Sequence, residues 1–504
     1  MEPGHISIIQ DRKVNRSRIN NFLFVLALTN TAIFIFYTLA SYGLAPTAPV
    51  KMKEPNEAAV FAKLAGKLSF LGPEVENFVS GNSFLRDPEI WAAVYTIPVL
   101  VSTAVFLAAL GLLAKYKHEI NQATLKILFL GGAIFAGVLL LAAPVLAHDF
   151  WLSLAWGRMI AAGYNPYHTD FMVQLSRDLP LDAAVRMTYG PLWAVLSTVV
   201  MALTGDYFIL SALLFKIILA GAWLGTLRLI WLLLRERSLW FQAVGILIFG
   251  WMPVSVLSTS ADGHNDAAMV VFVLLWLYWL KMDKKVLGSL ALAASVLVKY
   301  VTAPLFVLDF LHCYFAQRRR ILGYLPQLAV AAGFMGLSLA LFYRSPEFFD
   351  YLLQRNDWRA FRPNDALYAI EILTGIELGY IPKIALLIFP FIALVNLAQY
   401  VRKPDEVRFY VCVLAVLSAV LYSLSGFIWP WYLTFLLAIA ALVPGTALTR
   451  WTIGVALAFS FPLVLLNAYP FAGRNVLYDI PVLALYGFAL LWTVFSPRSW
   501  FPKT

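Results

Sequence analysis

The chain contains a long apolar run that stops at a histidine and an aspartate; residues 125–150 read LKILFLGGAIFAGVLLLAAPVLAHDF. A run of about 20 apolar residues can cross a bilayer as a helix, because the hydrocarbon core is about 30 Å thick. A helix also satisfies its own backbone hydrogen bonds in lipid. The stretch therefore predicts a transmembrane helix with a carboxylate at the point where the chain meets water.

Similar runs recur along almost the whole sequence, which is 61% hydrophobic and only 13% charged. Soluble proteins carry roughly 25% charged residues, so an ordinary soluble fold is excluded. The alternation typical of a transmembrane β-barrel is not visible. The sequence predicts an all-α polytopic membrane protein with about fourteen transmembrane helices, near residues 21–43, 91–114, 125–147, 207–233, 239–257, 267–281, 286–299, 301–315, 322–343, 383–400, 408–425, 431–447, 451–468 and 480–496.

The basic residues predict which loops face the cytoplasm. If the N-terminus is cytoplasmic, alternate short loops carry KYKHEINQATLK, RERS, KMDKK, QRRR and VRKPDEVR, and the chain ends in PRSWFPKT. Such enrichment is typical of cytoplasmic loops. Both termini are then cytoplasmic, and loops 44–90, 148–206 and 344–382 are extracytoplasmic. This arrangement requires residues 189–205 to form an interfacial or half-inserted helix that does not cross.

The net charge of +10 does not indicate a nucleic-acid partner, because the basic residues are dispersed among these loops. The two cysteines, Cys313 and Cys412, both lie in apolar runs and support neither a disulfide framework nor a cysteine metal site. Residues 44–90 have helical periodicity and mixed charge, which predicts a small external amphipathic cap.

The loop that follows residue 147 carries the first candidate site. Asp149 begins a helical pattern, and Gly163 stands where a left-handed helix stop is common. The simplest role for Asp149 is a helix cap that accepts backbone hydrogen bonds. Asn165 precedes a proline, which fixes the backbone and directs Tyr167. Aromatic rings at this depth also serve as ordinary membrane anchors.

Four segments in order, GYNPY, TYGPLW, STSADGHNDAAM and VLVKYVTAPLFVL, resemble the GT-C superfamily of integral-membrane glycosyltransferases. The closest resemblance is to bacterial mannosyltransferases that use polyprenol-phosphate-mannose. It covers about 125–450, which predicts a GT-C-like catalytic core there, N-terminal helices with an external loop over 1–124, and a C-terminal helix pair over 451–504.

The resemblance implies a reaction on the extracytoplasmic face of a bacterial inner membrane. A hexose, with mannose favoured, passes from a polyprenyl-phosphate donor to a hydroxyl of a glycan or glycolipid, with inversion. Asp149 is implied as the general base. One carboxylate suffices, because the phosphate leaves as a stable anion and needs only positive charge and hydrogen-bond donors.

Other residues are candidates for binding the donor or the acceptor, and each also has a structural interpretation. His148 is a possible proton relay or a polar helix end, and Arg158 points to lipid headgroups or to a phosphate. Lys299 either contacts the donor phosphate or snorkels to water. The remaining candidates are Asn165, Tyr167, Tyr189, His264, Asn265, Asp266, Arg355, Arg359, Trp431 and Tyr432.

His264 and Asp266 with Asp149 are chemically acceptable metal ligands. Adjacent residues of one loop are nevertheless a poor metal-binding pattern, so no metal or other cofactor is expected. A transporter or lipid-linked sugar flippase is the alternative from another functional class, since intramembrane charges such as Lys216 and Asp309 also suit a transport pathway.

Overall fold

A computed structural model describes residues 18–44, 88–144, 148–167, 186–205, 207–316, 321–343, 375, 387–424, 429–460 and 476–502. Arg355 and Arg359, with most of the predicted cap at 44–90, lie outside the described residues. The described part is helical and has no strand.

Seventeen α-helices are present in these ranges. They are α1 (Arg18–Leu44), α2 (Pro88–Lys115), α3 (Gln122–Leu139), α4 (His148–Ala161), α5 (Pro191–Thr204), α6 (Phe208–Leu233), α7 (Leu239–Gly250), α8 (Pro253–Val256), α9 (Asp266–Lys281), α10 (Lys285–Val298), α11 (Leu305–Leu311), α12 (Leu325–Ala340), α13 (Ile388–Arg402), α14 (Glu406–Ala419), α15 (Leu433–Ala440), α16 (Ala447–Phe459) and α17 (Val476–Phe495).

The lengths and hydropathies of these helices confirm an all-α polytopic membrane protein. In the described part, six helices are long and apolar enough to cross a membrane, and a bent pair formed by α7 and Pro253–Ala261 makes a seventh. Seven apolar helices are shorter, with 10–17 residues each. The figure of about fourteen crossings therefore stays a prediction.

The bent pair positions one strip of the candidate site. Its two halves meet at 54°, where Pro253 begins α8 without a backbone N–H to continue the previous helix. The indole N–H of Trp223 donates to Ser255 Oγ (2.9 Å), and that of Trp251 donates to the Leu128 carbonyl (2.8 Å). Buried indoles usually find such partners, and here they fix the chain that leads into residues 257–266.

The loops rich in charge meet at one end of the bundle, which we call the basic end. Lys281 forms ion pairs with Glu236 (3.2 Å) and Glu406 (3.0 Å), and Arg237 lies 3.8 Å from Glu406. The loops RERS, KMDKK and VRKPDEVR, which the charge pattern predicts on one membrane face, thus share one end. We call the opposite end, where α9 begins and α10 finishes, the site end.

The course of the chain around α5 agrees with a helix that does not cross. Gly190, just before α5, lies against Leu297 and Val298 at the site end of α10. The next helix, α6, finishes at the basic end, where the Leu233 carbonyl accepts from Lys281 (3.4 Å). Since α6 crosses toward the basic end, α5 starts and finishes in the same half. It has 14 residues, or about 21 Å, less than the hydrocarbon core.

Candidate active site

Asp149 lies in the first turn of α4, where its negative charge complements the helix N-terminus. It is the second residue of the helix rather than the cap, and the described partner of its side chain is a tyrosine. The Tyr189 hydroxyl donates to Asp149 Oδ2 at 2.8 Å. Trp156 and Trp193 approach the Tyr189 ring edge to face, with centroids 5.9 and 6.3 Å away, and hold it in place.

Tyr189 reaches this position because Gly190 docks on the end of α10. The Gly190 N–H donates to the Val298 carbonyl (3.1 Å). A Cβ atom at residue 190 would overlap the carbonyl of Leu297, so only glycine permits this approach. The contact brings the Tyr189 ring to within 5.9 Å of the Lys299 ammonium. It therefore joins the Asp149 region to the TYGPLW and VLVKY segments.

Lys299 is held between a carboxylate and a ring. Its Nζ lies 2.8 Å from Asp266 Oδ1 and 4.3 Å from the centroid of Tyr432. The side chains of Lys299 and Asp266 are 15% and 1% exposed. The intramembrane lysine thus has the partner that such a residue requires. This geometry favours a site residue over a lysine that snorkels to water.

The residues after Gly263 pack against aromatic rings. A Cβ at Gly263, where φ is 75°, would overlap the ring of Phe150, so the ring lies directly on bare backbone. His264 stacks on Trp431 with centroids 3.9 Å apart and planes 12° apart. Trp431 stacks in turn on Trp429 at 4.9 Å and 4°. The predicted sugar-binding loop and the FIWPWY segment are therefore parts of one structure.

Asn265 Nδ2 and Asp266 Oδ2 are among the buried polar atoms of this region that have no hydrogen-bond partner in the described residues. The residues are 4% and 1% exposed. Buried polar groups are normally satisfied, so each exception calls for a reason. A substrate hydroxyl is a partner of suitable chemistry for both atoms.

The environment of Tyr189 keeps its hydroxyl protonated. Burial raises the pKa of Tyr189 well above its ordinary value, and the charge of Asp149 beside it raises the pKa further. The Tyr189 hydroxyl therefore stays protonated at neutral pH and remains a hydrogen-bond donor to Asp149.

The turn formed by Asn165, Pro166 and Tyr167 supports Tyr189. The Tyr167 hydroxyl donates to the Tyr189 carbonyl (2.9 Å). Asn165 accepts from the Tyr167 N–H (3.0 Å) and donates through Nδ2 to the Phe342 carbonyl (2.7 Å). Gly163 has a φ of 87°, which confirms the predicted left-handed stop after α4.

The remaining predicted residues lie apart from this centre or are not described in full. Arg158 is nine residues beyond Asp149 on α4, about 13 Å along the helix axis, so it does not share the turn that holds Asp149. The backbone of α4 begins at His148, whose side chain is not described. Among the described residues, no three His, Cys, Asp or Glu side chains group as a metal site. The role of Arg158 and the absence of a metal requirement stay predictions.

Lys216 is one of the intramembrane charges that would also suit a transport pathway, and its geometry indicates a different role. Lys216 Nζ donates to the carbonyls of Leu139 (3.2 Å) and Ala142 (2.6 Å), where a cation complements the C-terminus of α3. It also lies close enough to Asp262 for their charges to interact. No local signal could have shown this, because the partners are backbone carbonyls of a distant helix. Trp156 and Trp193, the supports of Tyr189, were also missed, although Trp193 ends the TYGPLW motif.

A comparison with protein families identifies one match. The family model described as alpha-(1->6)-mannopyranosyltransferase, N-terminal domain, matches residues 62–316. The matched segment begins before residue 125, where the predicted core starts, and contains Asp149, Tyr189, Asp266 and Lys299. Trp429, Trp431 and Tyr432 lie beyond it. No curated protein matches the chain.

Proposed function

Because this chain belongs to the alpha-(1->6)-mannopyranosyltransferase family, we propose that it transfers mannose from a polyprenyl-phosphate donor to a glycan or glycolipid hydroxyl. The chain is a membrane mannosyltransferase. The proposed reaction is of the GT-C type, takes place at the extracytoplasmic face of a bacterial inner membrane, and forms an α-(1→6) linkage. The observation that carries the proposal is a tyrosine-oriented carboxylate beside a buried lysine–carboxylate pair.

Asp149 is assigned as the general base. A mannosyl acceptor hydroxyl must lose its proton as its oxygen attacks the anomeric carbon, and a carboxylate at hydrogen-bond distance can accept that proton. Tyr189 occupies Oδ2, which leaves Oδ1 as the atom assigned to proton transfer. Asp149 is partly exposed, whereas Asp266 is 1% exposed and already paired with Lys299. Accessibility and charge therefore both favour Asp149 over Asp266.

The bonds that form and break in the proposed reaction balance without a general acid. The acceptor oxygen forms a bond to the anomeric carbon while the bond from that carbon to the phosphate oxygen breaks, and its electron pair leaves with the phosphate. The proton remains on Asp149 until it is released to water. Direct displacement of this kind inverts the anomeric configuration. A phosphate monoester is a stable leaving group and requires no proton from the protein, unlike the alkoxide that glycosidases must protonate.

Lys299 is assigned to the leaving phosphate. A compact ammonium group stabilises the negative charge that develops as the bond to the phosphate breaks. Asp266 holds the ammonium in place at 2.8 Å, and the Tyr432 ring covers it at 4.3 Å. Both contacts fix the cation before the donor arrives, which reduces the reorganisation that transfer requires.

The alternative of a flippase finds less support in the geometry. A transport pathway needs charges that are available to a moving substrate. Lys216 donates to two backbone carbonyls, and Asp309 accepts hydrogen bonds from three neutral side chains. Lys216 and Asp309, two of the charges that suggested a pathway, are thus engaged in helix packing.

Reconstituted protein with radiolabelled polyprenyl-phosphate-mannose and α-(1→6)-linked mannoside acceptors tests the proposal. We expect labelled glycan from wild-type protein, and a loss of about 10³-fold in turnover for Asp149→Asn, which keeps size but not basicity. Asp283→Asn is the matched control, because Asp283 is 76% exposed at the basic end. Near-normal turnover by Asp149→Asn would refute the assigned base. Redistribution of the labelled carrier without any glycan product would support the flippase instead.

A further inference from the structure

Lys216 is a buried lysine in the interior of the membrane-spanning helix α6. It lies eight residues after the start of α6 at Phe208, about 12 Å along the helix axis, and is 3% exposed. A lysine inside the membrane is costly and usually has a functional reason. Its hydrogen bonds to the Leu139 and Ala142 carbonyls use two of its three N–H donors. Packing alone does not require a charge at this position, since methionine has a similar length and fills similar space.

The end of α3 is fixed by contacts from two other helices. Carbonyls in the last turn of a helix have no partner within the helix, and the Lys216 ammonium of α6 binds two carbonyls at this end. The Ala143 N–H donates to Ser41 Oγ of α1 at 2.8 Å. Helix α4 begins five residues after Ala143, and Asp149 is its second residue. The position of the α3 end therefore restricts where the helix that carries Asp149 can begin.

The same part of α6 also contacts the turn at Asp262. The charge of Lys216 interacts with that of Asp262, which is 2% exposed. Phe215, the residue before Lys216, meets the Phe150 ring edge to face, with centroids 5.8 Å apart. The Phe150 ring also lies on the bare backbone of Gly263, the residue after Asp262. Phe150, which follows the proposed base, thus packs on both of the segments that Lys216 connects.

We propose that Lys216 is a positioning residue for the transfer reaction, because it joins the end of α3 to the turn at Asp262 and thereby sets the distance between Asp149 and the Asp266–Lys299 pair. The inference rests on the proposed function, since it requires Asp149 to be the base. Asp149 is carried by α4, the helix after α3, and Asp266 begins α9 four residues after Asp262. One buried cation therefore fixes the two parts of the site relative to each other.

Lys216→Met tests this role, because methionine fills similar space without a charge or N–H donors. We expect kcat per folded molecule to fall by about 10²-fold, as for a base displaced by about 1 Å, with little change in the KM of the polyprenyl-phosphate-mannose donor. Lys285→Met is the matched control, since Lys285 is also buried but forms its ion pair with Asp283 at the basic end. The control should keep the wild-type kcat.

Combining the variant with Asp149→Asn distinguishes positioning of the base from a general defect. If Lys216 acts through the base, Lys216→Met should lower the residual rate of Asp149→Asn by no more than about twofold, whereas independent effects multiply. A loss of about 10²-fold in both backgrounds, or a wild-type kcat in Lys216→Met, overturns the inference while the reaction stands. Near-normal turnover by Asp149→Asn alone refutes the proposed base and the inference with it.

Ser41→Ala is a second test that leaves no buried charge unpaired, and it applies even where Lys216→Met does not fold. The change removes the hydroxyl that accepts the Ala143 N–H at the same end of α3. We expect kcat to fall about fivefold with an unchanged donor KM, and no further loss in the Asp149→Asn background. An unchanged kcat in folded Ser41→Ala protein would show that the end of α3 does not position the base, and would overturn the inference.

Discussion

Two buried carboxylates in this protein have opposite environments. Asp309 of α11 is fully buried and accepts hydrogen bonds from the Trp276 indole (2.8 Å), the Tyr324 hydroxyl (2.9 Å) and the Ser289 hydroxyl (3.1 Å). Asp266, at the site end, has one oxygen on Lys299 and the other without a partner among the described residues.

The difference separates a structural role from a functional one. A buried polar network that is completely satisfied stabilises one packing arrangement and has no capacity left for a ligand. A network that retains unpaired atoms is destabilising until another molecule supplies the missing partners. Burial and charge alone would rank the two aspartates as equals, whereas their hydrogen bonds favour Asp266 over Asp309 as a residue of the proposed site.

Removing the cation should produce the largest effect of the variants considered below. Lys299→Ala would leave Asp266 as a buried, unpaired carboxylate and remove the positive charge assigned to the phosphate. We expect turnover to fall by about 10³-fold, with a smaller loss for Lys299→Arg, which keeps the charge. Steady-state kinetics with varied donor would measure both. Full activity in both variants would show that Lys299 is not part of the site, and Asp266, its partner, would then have no functional role to set it apart from Asp309.

A methyl group at Gly190 should disturb the site without altering any of its charged groups. Gly190→Ala forces the TYGPLW loop away from Leu297, so the Tyr189 hydroxyl loses its position on Asp149. If Asp149 is misplaced by about 1 Å as a result, we expect kcat to fall by about 10²-fold. The assay should be combined with a thermal unfolding measurement in detergent. A variant that is fully active would show that the docking contact does not position the base.

Loss of one hydroxyl should have a milder effect. Tyr189→Phe leaves Asp149 in place but no longer oriented, and we expect kcat to fall about tenfold with little change in the KM of the donor. Because burial and Asp149 raise the pKa of Tyr189, its ionisation should be absent from the pH–rate profile below pH 10. The variant should therefore follow a profile of the same shape at lower amplitude. A new or missing alkaline limb in the variant would contradict this role.

Replacement of Asp309 should change stability rather than chemistry. Asp309→Val leaves the buried Trp276 and Tyr324 donors without an acceptor, and we expect the protein to be destabilised by about 3 kcal/mol. Turnover per folded molecule should be unchanged, because the cluster lies toward the basic half of α9 and α10. Thermal unfolding together with activity normalised to folded protein measures both quantities. A specific loss of kcat would show that the two carboxylates are not separate in function.

Much of the fold followed from the sequence because membrane constraints are simple. Apolar length predicted the helices, and the basic loops predicted that α5 does not cross. The motifs GYNPY, TYGPLW, STSADGHNDAAM and VLVKY also proved to meet in space. Gly163 was recognised as a stop because a left-handed backbone after a helix has a local signal.

The pairings within the site could not be predicted in the same way. Lys299 and Asp266 meet because α9 and α10 pack side by side, and Tyr189 meets Asp149 because Gly190 fits against a carbonyl of α10. Such contacts depend on helix packing to within an ångström, which periodicity does not specify. Aromatic residues near a span end likewise have the same sequence pattern whether they anchor the protein in the membrane or stack on one another.

The location of Trp429, Trp431 and Tyr432 outside the family-matched segment has an evolutionary consequence. The residues assigned as proton acceptor and as phosphate-binding cation come from one portion of the polypeptide, while Trp429, Trp431 and Tyr432 come from a portion some 130 residues further along. Homologues can then vary the segment that supplies these rings while they keep the residues assigned to proton transfer and to the phosphate. Chimeras joined after residue 316 would reveal whether such proteins retain one reaction but differ in the glycans that they build.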